Sequence, residues 1–186
     1  ADTLSGIKIT QYKASGAVNH DWGTYNGPFA VNVNGKTTIT ARALDNAGNY
    51  SSETAANIYV DKVIPTTTIT GTDKSWKNTN ISVSLSGTDG NSGVKNIRYK
   101  ASGAAVHDWT TYGTPITIDK NGKTTITAQS LDNAGNYATE VSKEFWKDSE
   151  KPTIAISTTE KTWKSSPISV TLSATDGFSG VSKTQY

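Results

Sequence analysis

The sequence predicts an all-β chain built from small antiparallel sandwiches, and three observations carry that prediction. Composition is the first: Thr, Ser, Asn, Gly, Val, Ile and Tyr are plentiful while helix formers are scarce, a vocabulary of strands and turns. Alternation is the second, clearest in Ile81-Ser-Val-Ser-Leu-Ser, which places Ile81, Val83 and Leu85 on one face. The third is self-similarity. Tyr12-Lys-Ala-Ser-Gly16 returns from residue 12 to residue 99, an offset of 87. Asn34 to Ala41 returns at Asn121 to Ala128, and Ser92-Gly-Val94 at Ser179 to Val181, with the same offset. A period of 87 residues is far longer than a solenoid unit and matches one complete small β-domain.

The Pro-bearing stretches Asp61–Pro65 and Asp148–Pro152 set the phase of the repeat. They divide the chain into a partial module at 1–60 that lacks its first strands, a complete module at 61–147, and the start of a third at 148–186. Within the complete module, strands are expected at 65–70 and 81–86. Asp89 to Gly93 is a turn by composition, and a strand follows over 94–101 with Val94, Ile97 and Tyr99 as its inward anchors. A loop carrying His107, Asp108 and Trp109 leads to a short strand at 115–118. Asp119-Lys-Asn-Gly122 reads as a hairpin turn whose glycine supplies positive φ. The next strand, 123–131, is expected to turn Thr125, Thr127 and Gln129 away from Ile126 and Ala128. The heptapeptide Leu-Asp-Asn-Ala-Gly-Asn-Tyr, at Leu44–Tyr50 and again at Leu131–Tyr137, then reads as a strand-to-strand turn. Leu44 and Leu131 should point inward, Gly135 should tolerate positive φ, and Tyr137 should open a last strand running to Trp146. Six or seven short strands with turn signals every 8–12 residues describe tandem Ig-like antiparallel β-sandwich modules.

Charge and composition exclude several functions. The formal charge is +2 and the lysines are spread singly, so no basic stripe exists to neutralise a row of phosphates. No apolar run approaches a membrane span. The chain has no cysteine and no methionine, so packing rather than disulfides must hold it. It reads as an excerpt of a longer polypeptide, and its composition fits an extracellular, cell-surface or secreted protein. The phase raises a further expectation: the segment 148–186 of one molecule can complete the segment 1–60 of the next by head-to-tail strand exchange.

The residues Thr-Asp-Gly-x-Ser-Gly-Val (88–94), Trp109-x-x-Tyr112-x-x-Pro115 with its counterpart Trp22, Tyr25 and Pro28, Asn-Gly-Lys-Thr-Thr-Ile-Thr-Ala, and Asp-Asn-Ala-Gly-Asn resemble a known family. It is that of bacterial Ig-like surface-protein repeats of the D-x-A-G-N type, which carries the misleading label of a surface-protein β-barrel domain. The resemblance covers 1–60 and 88–147 closely. It implies a non-catalytic stalk, spacer or adhesion module of a bacterial multidomain protein, with neighbouring modules and cell-wall or host glycan or protein as partners. It also allows a carbohydrate-binding module appended to a secreted polysaccharide-active enzyme.

Candidate sites divide by chemistry. A nucleophile triad needs His paired with a hydroxyl or thiol and a carboxylate, but the two histidines, His20 and His107, are repeat equivalents and no G-x-S-x-G elbow exists. The acids sit in turns and linkers, not as a facing glycosidase pair. An enzyme is not expected. In a sandwich, Asp89 and Asp132 end strands at one pole, and the linker Asp61 enters there, so the three carboxylates form a candidate calcium site. Asn133 and Asn136 can add carbonyl oxygens, and Asp148 with Asp176, and Asp2 with Asp45, are incomplete copies. The plainer reading has each Asp accepting backbone N–H groups of its own turn. Trp22, Tyr25, Trp109, Tyr112 and Trp76 are candidates for stacking on a glycan, against the plainer reading of a core plug. A Lys–Asn isopeptide crosslink is allowed by composition, but no Lys, Asn and carboxylate trio stands out.

Overall fold

The computed structural model of the chain describes residues 4–72, 74–158 and 162–186, and Asp2 lies outside them. Every regular element among the described residues is a β-strand. Two compact units form, and they cut across the modules read from the repeat. The first comprises residues 1–65 with the turns 88–95 and 131–137, and the second holds 66–87, 96–130 and 138–186.

The first unit carries one sheet. Its strands are β1 (Ile7–Gly16), β2 (His20–Thr24), β3 (Gly35–Asp45) and β4 (Thr54–Val60), hydrogen-bonded in the order β2-β1-β3-β4. All three pairings are antiparallel, and Gly16 faces Thr37 at the end of the β1–β3 ladder. Leu44 and Tyr50 form an isolated bridge around the turn of the first heptapeptide, and Leu131 and Tyr137 do the same around the second.

The second unit contains the sandwich. Its strands, some of which run on into the turns of the first unit, are β5 (Thr66–Thr70), β6 (Trp76–Lys77), β7 (Ile81–Thr88), β8 (Val94–Gly103), β9 (His107–Thr111), β10 (Ile116–Ile118), β11 (Gly122–Asp132) and β12 (Val141–Lys147). They form a three-stranded sheet, β10-β7-β5, and a five-stranded sheet, β6-β12-β11-β8-β9. The two-residue strand β6 joins β12 in parallel, and the other pairings within the two sheets that are described are antiparallel. The inner faces meet in a core of Ile81, Val83, Leu85, Ala101, Ile118, Ile126, Ala128 and Phe145. Val83, Ile126 and Phe145 are fully enclosed, each contributing about 1.5–3 kcal/mol of burial free energy. A separate hairpin follows, β13 (Thr153–Thr158) with β14 (Val170–Thr175), paired from Thr153↔Thr175 to Thr158↔Val170.

The alternation expected of Ile81, Val83 and Leu85 is present, and all three are buried. Four local readings need correction. His107–Thr111 is a strand, not a loop: Tyr99 pairs with Thr110 and Ala101 with His107 across a bulge. The last strand begins at Val141, and Tyr137 joins only by its bridge to Leu131. The anchors of β8 shift as well, since Ala101 is its buried residue while Val94, Ile97 and Tyr99 are half-buried. Finally, Leu131 does not point inward. Ile126, Ala128, Ser130 and Asp132 share the buried parity of β11, so the inward residues at its end are polar ones, and Leu131 and Leu44 are only half-buried. Ser130 is tolerated there because its amide donates to Thr67 Oγ1 at 2.8 Å and the two hydroxyls hydrogen-bond at 2.8 Å.

Candidate functional site

Three turns deliver the three carboxylates. Asp61 follows the end of β4, Asp89 follows β7, and Asp132 is the last residue of β11. One carboxylate oxygen from each lies within 4.8 Å of the others, and all three residues belong to the first unit. Asp132 is fully buried. Its Oδ1 accepts the amides of Gly135 and Asn136, both at 2.7 Å, and its Oδ2 accepts Asn136 Nδ2 at 2.7 Å. Asp61 Oδ2 accepts the Ser92 amide at 2.9 Å and Oδ1 the Val63 amide at 3.0 Å. Asp89 Oδ1 accepts the amides of Asn91 at 3.1 Å and Gly93 at 2.8 Å.

Asp89 Oδ2 differs from these: it is buried and has no hydrogen-bond partner. Burial of an unpartnered carboxylate oxygen beside two more carboxylates is costly unless something positive compensates. The donor set is one that a hard divalent cation accepts: oxygens only, from three acids. The side-chain amides of the two asparagines bind the turns through their Nδ2 atoms. Asn133 Nδ2 donates to the carbonyls of Ser92 (2.8 Å) and Gly93 (3.1 Å), and Asn136 Nδ2 donates to the Asp61 carbonyl (3.1 Å) as well as to Asp132. Both spend their amides fastening the turns together.

The hydrogen bonds decide the charge state. Asp61 is held down at about 2, first by the neighbouring Ser92 hydroxyl, which is buried without a well-directed hydrogen bond of its own, and then by the Val63 amide. Burial pushes Asp132 up, but the Asn136 side chain and the amides of Asn136 and Gly135 outweigh it, and its pKa is lowered. The first heptapeptide works alike. Asp45 accepts Asn49 N at 2.8 Å and Asn49 Nδ2 at 2.9 Å, which lower it to about 2, and Asn46 Nδ2 donates to the Ser5 carbonyl at 2.7 Å.

The linker arrangement recurs one period later. Asp148 Oδ2 accepts the Ser179 amide at 2.9 Å and Oδ1 the Glu150 amide at 2.9 Å, while Asp176 Oδ1 accepts Phe178 N at 3.1 Å and Gly180 N at 2.8 Å. Asp148 is lowered for the same reason as Asp61, with the Ser179 hydroxyl first. Sequence reasoning missed Ser92 and Ser179 as the linker's partners, although Ser-Gly-Val is one of the repeated motifs.

The aromatic candidates are neither core plugs nor open platforms. Trp22 and Trp109 are half-buried, and cations lie over their rings: Arg42 at 4.0 Å and Lys13 at 4.7 Å for Trp22, Arg98 at 4.6 Å and Lys100 at 4.7 Å for Trp109. Lys13 and Lys100 are in turn paired with Glu53 and Glu140. Tyr25 and Tyr112 meet Tyr12 and Tyr99 edge-on, at 6.5 and 6.4 Å between ring centres. His20 stacks on Tyr12 at 4.9 Å and His107 on Tyr99 at 5.7 Å. Trp76 lies 5.5 Å from Trp146. A cleft of about 460 Å³ opens beside the carboxylates, lined in part by Lys36, Tyr59, Asn91, Ser92 and Asn133, and Tyr59 is 72% exposed there. Lys147 is buried and donates to Asn121 Oδ1 at 3.0 Å and Ser149 Oγ at 2.8 Å, a Lys–Asn approach without a carboxylate among its hydrogen-bond partners.

No helix among the described residues is long and apolar enough to cross a membrane. No family model matches the chain, and no curated protein matches it. Among solved structures it is similar to the fibronectin(III)-like modules of Clostridium thermocellum CbhA, at 17% identity over 80% of this chain and 83% of that one, with a TM-score of 0.34.

Proposed function

We propose that the chain is a non-catalytic spacer of a bacterial surface or secreted protein, of the D-x-A-G-N repeat type, in which the linker aspartate restrains the joint between successive modules. The observation that carries this reading is the capture of Asp61 by the following turns through Ser92 N and Asn136 Nδ2, repeated at Asp148 by Ser179 N. A freely jointed linker would have no use for it. Because the chain has no cysteine, Thr38→Cys and Gly90→Cys, both within the first unit, introduce the only two labelling sites, for a spin-label distance measurement. A narrow distance distribution that broadens in Asp61→Ala is expected. Equal widths with and without Asp61 overturn the restraint.

A second reading has one specific observation in its favour. The unpartnered, buried Asp89 Oδ2 supports a divalent cation, calcium above all, held by Asp61, Asp89 and Asp132. A bound cation would compensate three converging negative charges and tighten the same joint. Calcium should then raise the melting temperature, chelator should lower it, and Asp89→Asn should remove the difference; a melting temperature indifferent to both sinks the reading. The carbohydrate-binding rival has its best support in the cleft beside Tyr59, since cations already occupy a face of Trp22 and Trp109. Retention on a polysaccharide matrix that Tyr59→Ala abolishes would favour that rival over the spacer.

A further inference from the structure

A second cluster, apart from the carboxylates, lies on one face of the β1–β4 sheet. Gln11 and Arg42 are partners in the β1–β3 ladder, and Lys13 shares their face because side chains alternate along a strand. The complete module shows which face this is. At an offset of 87 the same positions are Arg98, Gln129 and Lys100, of opposite parity to the core residues Ala101, Ile126 and Ala128. The cluster therefore belongs to the outside of the sandwich, away from the face that the smaller sheet covers.

Arg42 is held from three directions. Its guanidinium carbon lies 4.0 Å from the ring centre of Trp22 and 4.1 Å from that of Tyr50, and its Nε donates to Gln11 Oε1 at 3.1 Å. Two rings and one amide oxygen fix the plane of the group and the way it points. Its two Nη groups have no hydrogen-bond or ion-pair partner among the described residues, and the nearby Glu53 is paired with Lys13 at 3.2 Å instead. The complete module builds the same arrangement from the neighbouring strand. Arg98 is the counterpart of Gln11 and Gln129 that of Arg42, so arginine and glutamine have changed places. Arg98 nevertheless lies over its indole, 4.6 Å from the centre of Trp109, and again gives Nε to the glutamine oxygen at 3.1 Å. Both faces keep a guanidinium clamped over tryptophan with Nε occupied, whichever strand supplies it.

A guanidinium fixed in this way is a planar fork whose ordering is met on folding and not on binding. Its two Nη groups match the two coplanar oxygens of a carboxylate. The cations over Trp22 disfavour a neutral sugar and favour an anionic one, while Tyr50, 54% exposed, offers a ring edge beside the fork for the apolar face of a pyranose.

We propose that this outer face is a receptor for an acidic saccharide, in which Arg42 grips the carboxylate of a uronic acid end-on and Tyr50 borders the sugar ring. One exposed pair of this kind binds weakly, so the ligand is a polymer that repeats its carboxylates. The site is separate from the Asp61 joint, and its loss leaves the spacer reading untouched. Titration of the isotope-labelled full chain with trigalacturonic acid tests it by nuclear magnetic resonance. Saturable shifts of the Trp22 indole and Arg42 Nε–H signals are expected, and none with the methyl ester of the same oligomer, which lacks the charge. Arg42→Gln should weaken binding about tenfold, and Arg42→Lys nearly as much, because the ammonium keeps the charge without the fork. Adding Gln11→Arg to Arg42→Gln should recover most of the loss, since the guanidinium then reaches Trp22 from β1 as Arg98 reaches Trp109. Absence of any shift overturns the proposal, as does equal binding of the ester or of the Arg42→Gln chain. No recovery in a double variant that melts like the unaltered chain overturns it too. Polyglutamate moving the same signals at equal or lower concentration would make the partner an acidic peptide and likewise overturn it.

Discussion

Replacing Gly87 with alanine in the intact sandwich isolates one packing contact. The new Cβ would sit 2.5 Å from Ser130 Oγ, 3.3 Å from Ser130 Cβ and 3.3 Å from the Thr66 carbonyl oxygen. Ser130 cannot simply rotate away, because its hydroxyl is hydrogen-bonded to Thr67 Oγ1 at 2.8 Å and the residue is fully buried. Overpacking of this kind costs about 1–3 kcal/mol. Ser130→Ala alone removes one neutral hydrogen bond, about 1 kcal/mol, while Thr67 Oγ1 still accepts the amide of residue 130. Together the two changes should cost less than their sum, since the methyl then occupies the space the hydroxyl left. A coupling of about 1 kcal/mol or more in favour of the double variant is expected. Urea unfolding of the full chain, followed by tryptophan fluorescence, supplies the four corners of the cycle. Additivity within about 0.3–0.5 kcal/mol would refute the steric reasoning.

Three further outcomes follow from the same structure. Asp61 and Asp45 are lowered from 3.8 to about 2 in the fold, so their contribution to stability is complete above 3.8 and lost as pH falls through about 2. Acid titration should therefore show a destabilisation confined to that window, and Asp61→Asn should flatten part of it; an unchanged profile would deny Asp61 its role. Gly103 has φ +97°, and a Cβ there would lie 2.3 Å from the Lys123 carbonyl oxygen, so Gly103→Ala should lower stability by about 2 kcal/mol or more. Gly113 has open space around it, and Gly113→Ala should be neutral or stabilising by about 0.5 kcal/mol in the same thermal melt.

How far the sequence was legible depends on how local each signal is. The strand of Ile81, Val83 and Leu85 was readable because one of its faces is buried and the other is wet, the condition under which period two survives. At the end of strand β11 the expectation for Leu131 failed because the buried face carries polar residues. Thr124, Ser130 and Asp132 lie there along with Ile126 and Ala128, and Thr127 is buried on the opposite face. Their hydroxyls find partners across the fold, such as Ser142 Oγ for Thr127 at 2.8 Å, which no local pattern announces. His107–Thr111 was read as a loop because its hydrophilic start carries no alternation, and only its pairing with β8 makes it a strand. The meeting of Asp61, Asp89 and Asp132 followed from strand direction alone. The asparagines' Nδ2 donation to the Ser92 and Asp61 carbonyls did not, because which backbone an amide end meets depends on the fold.

The stretch from Asp61 to Pro65 has a consequence for how such a chain would behave under tension. Asp61 is fastened through its carboxylate and its carbonyl, and Pro65 is fully buried, so only Lys62, Val63 and Ile64 remain exposed between two fixed points. Three residues supply at most about 11 Å of contour before an anchor must break. A pull along the chain would therefore meet little entropic give and then load the hydrogen bonds of Asp61. Extension would come in steps, as anchors release, rather than as the smooth stretch of a flexible tether.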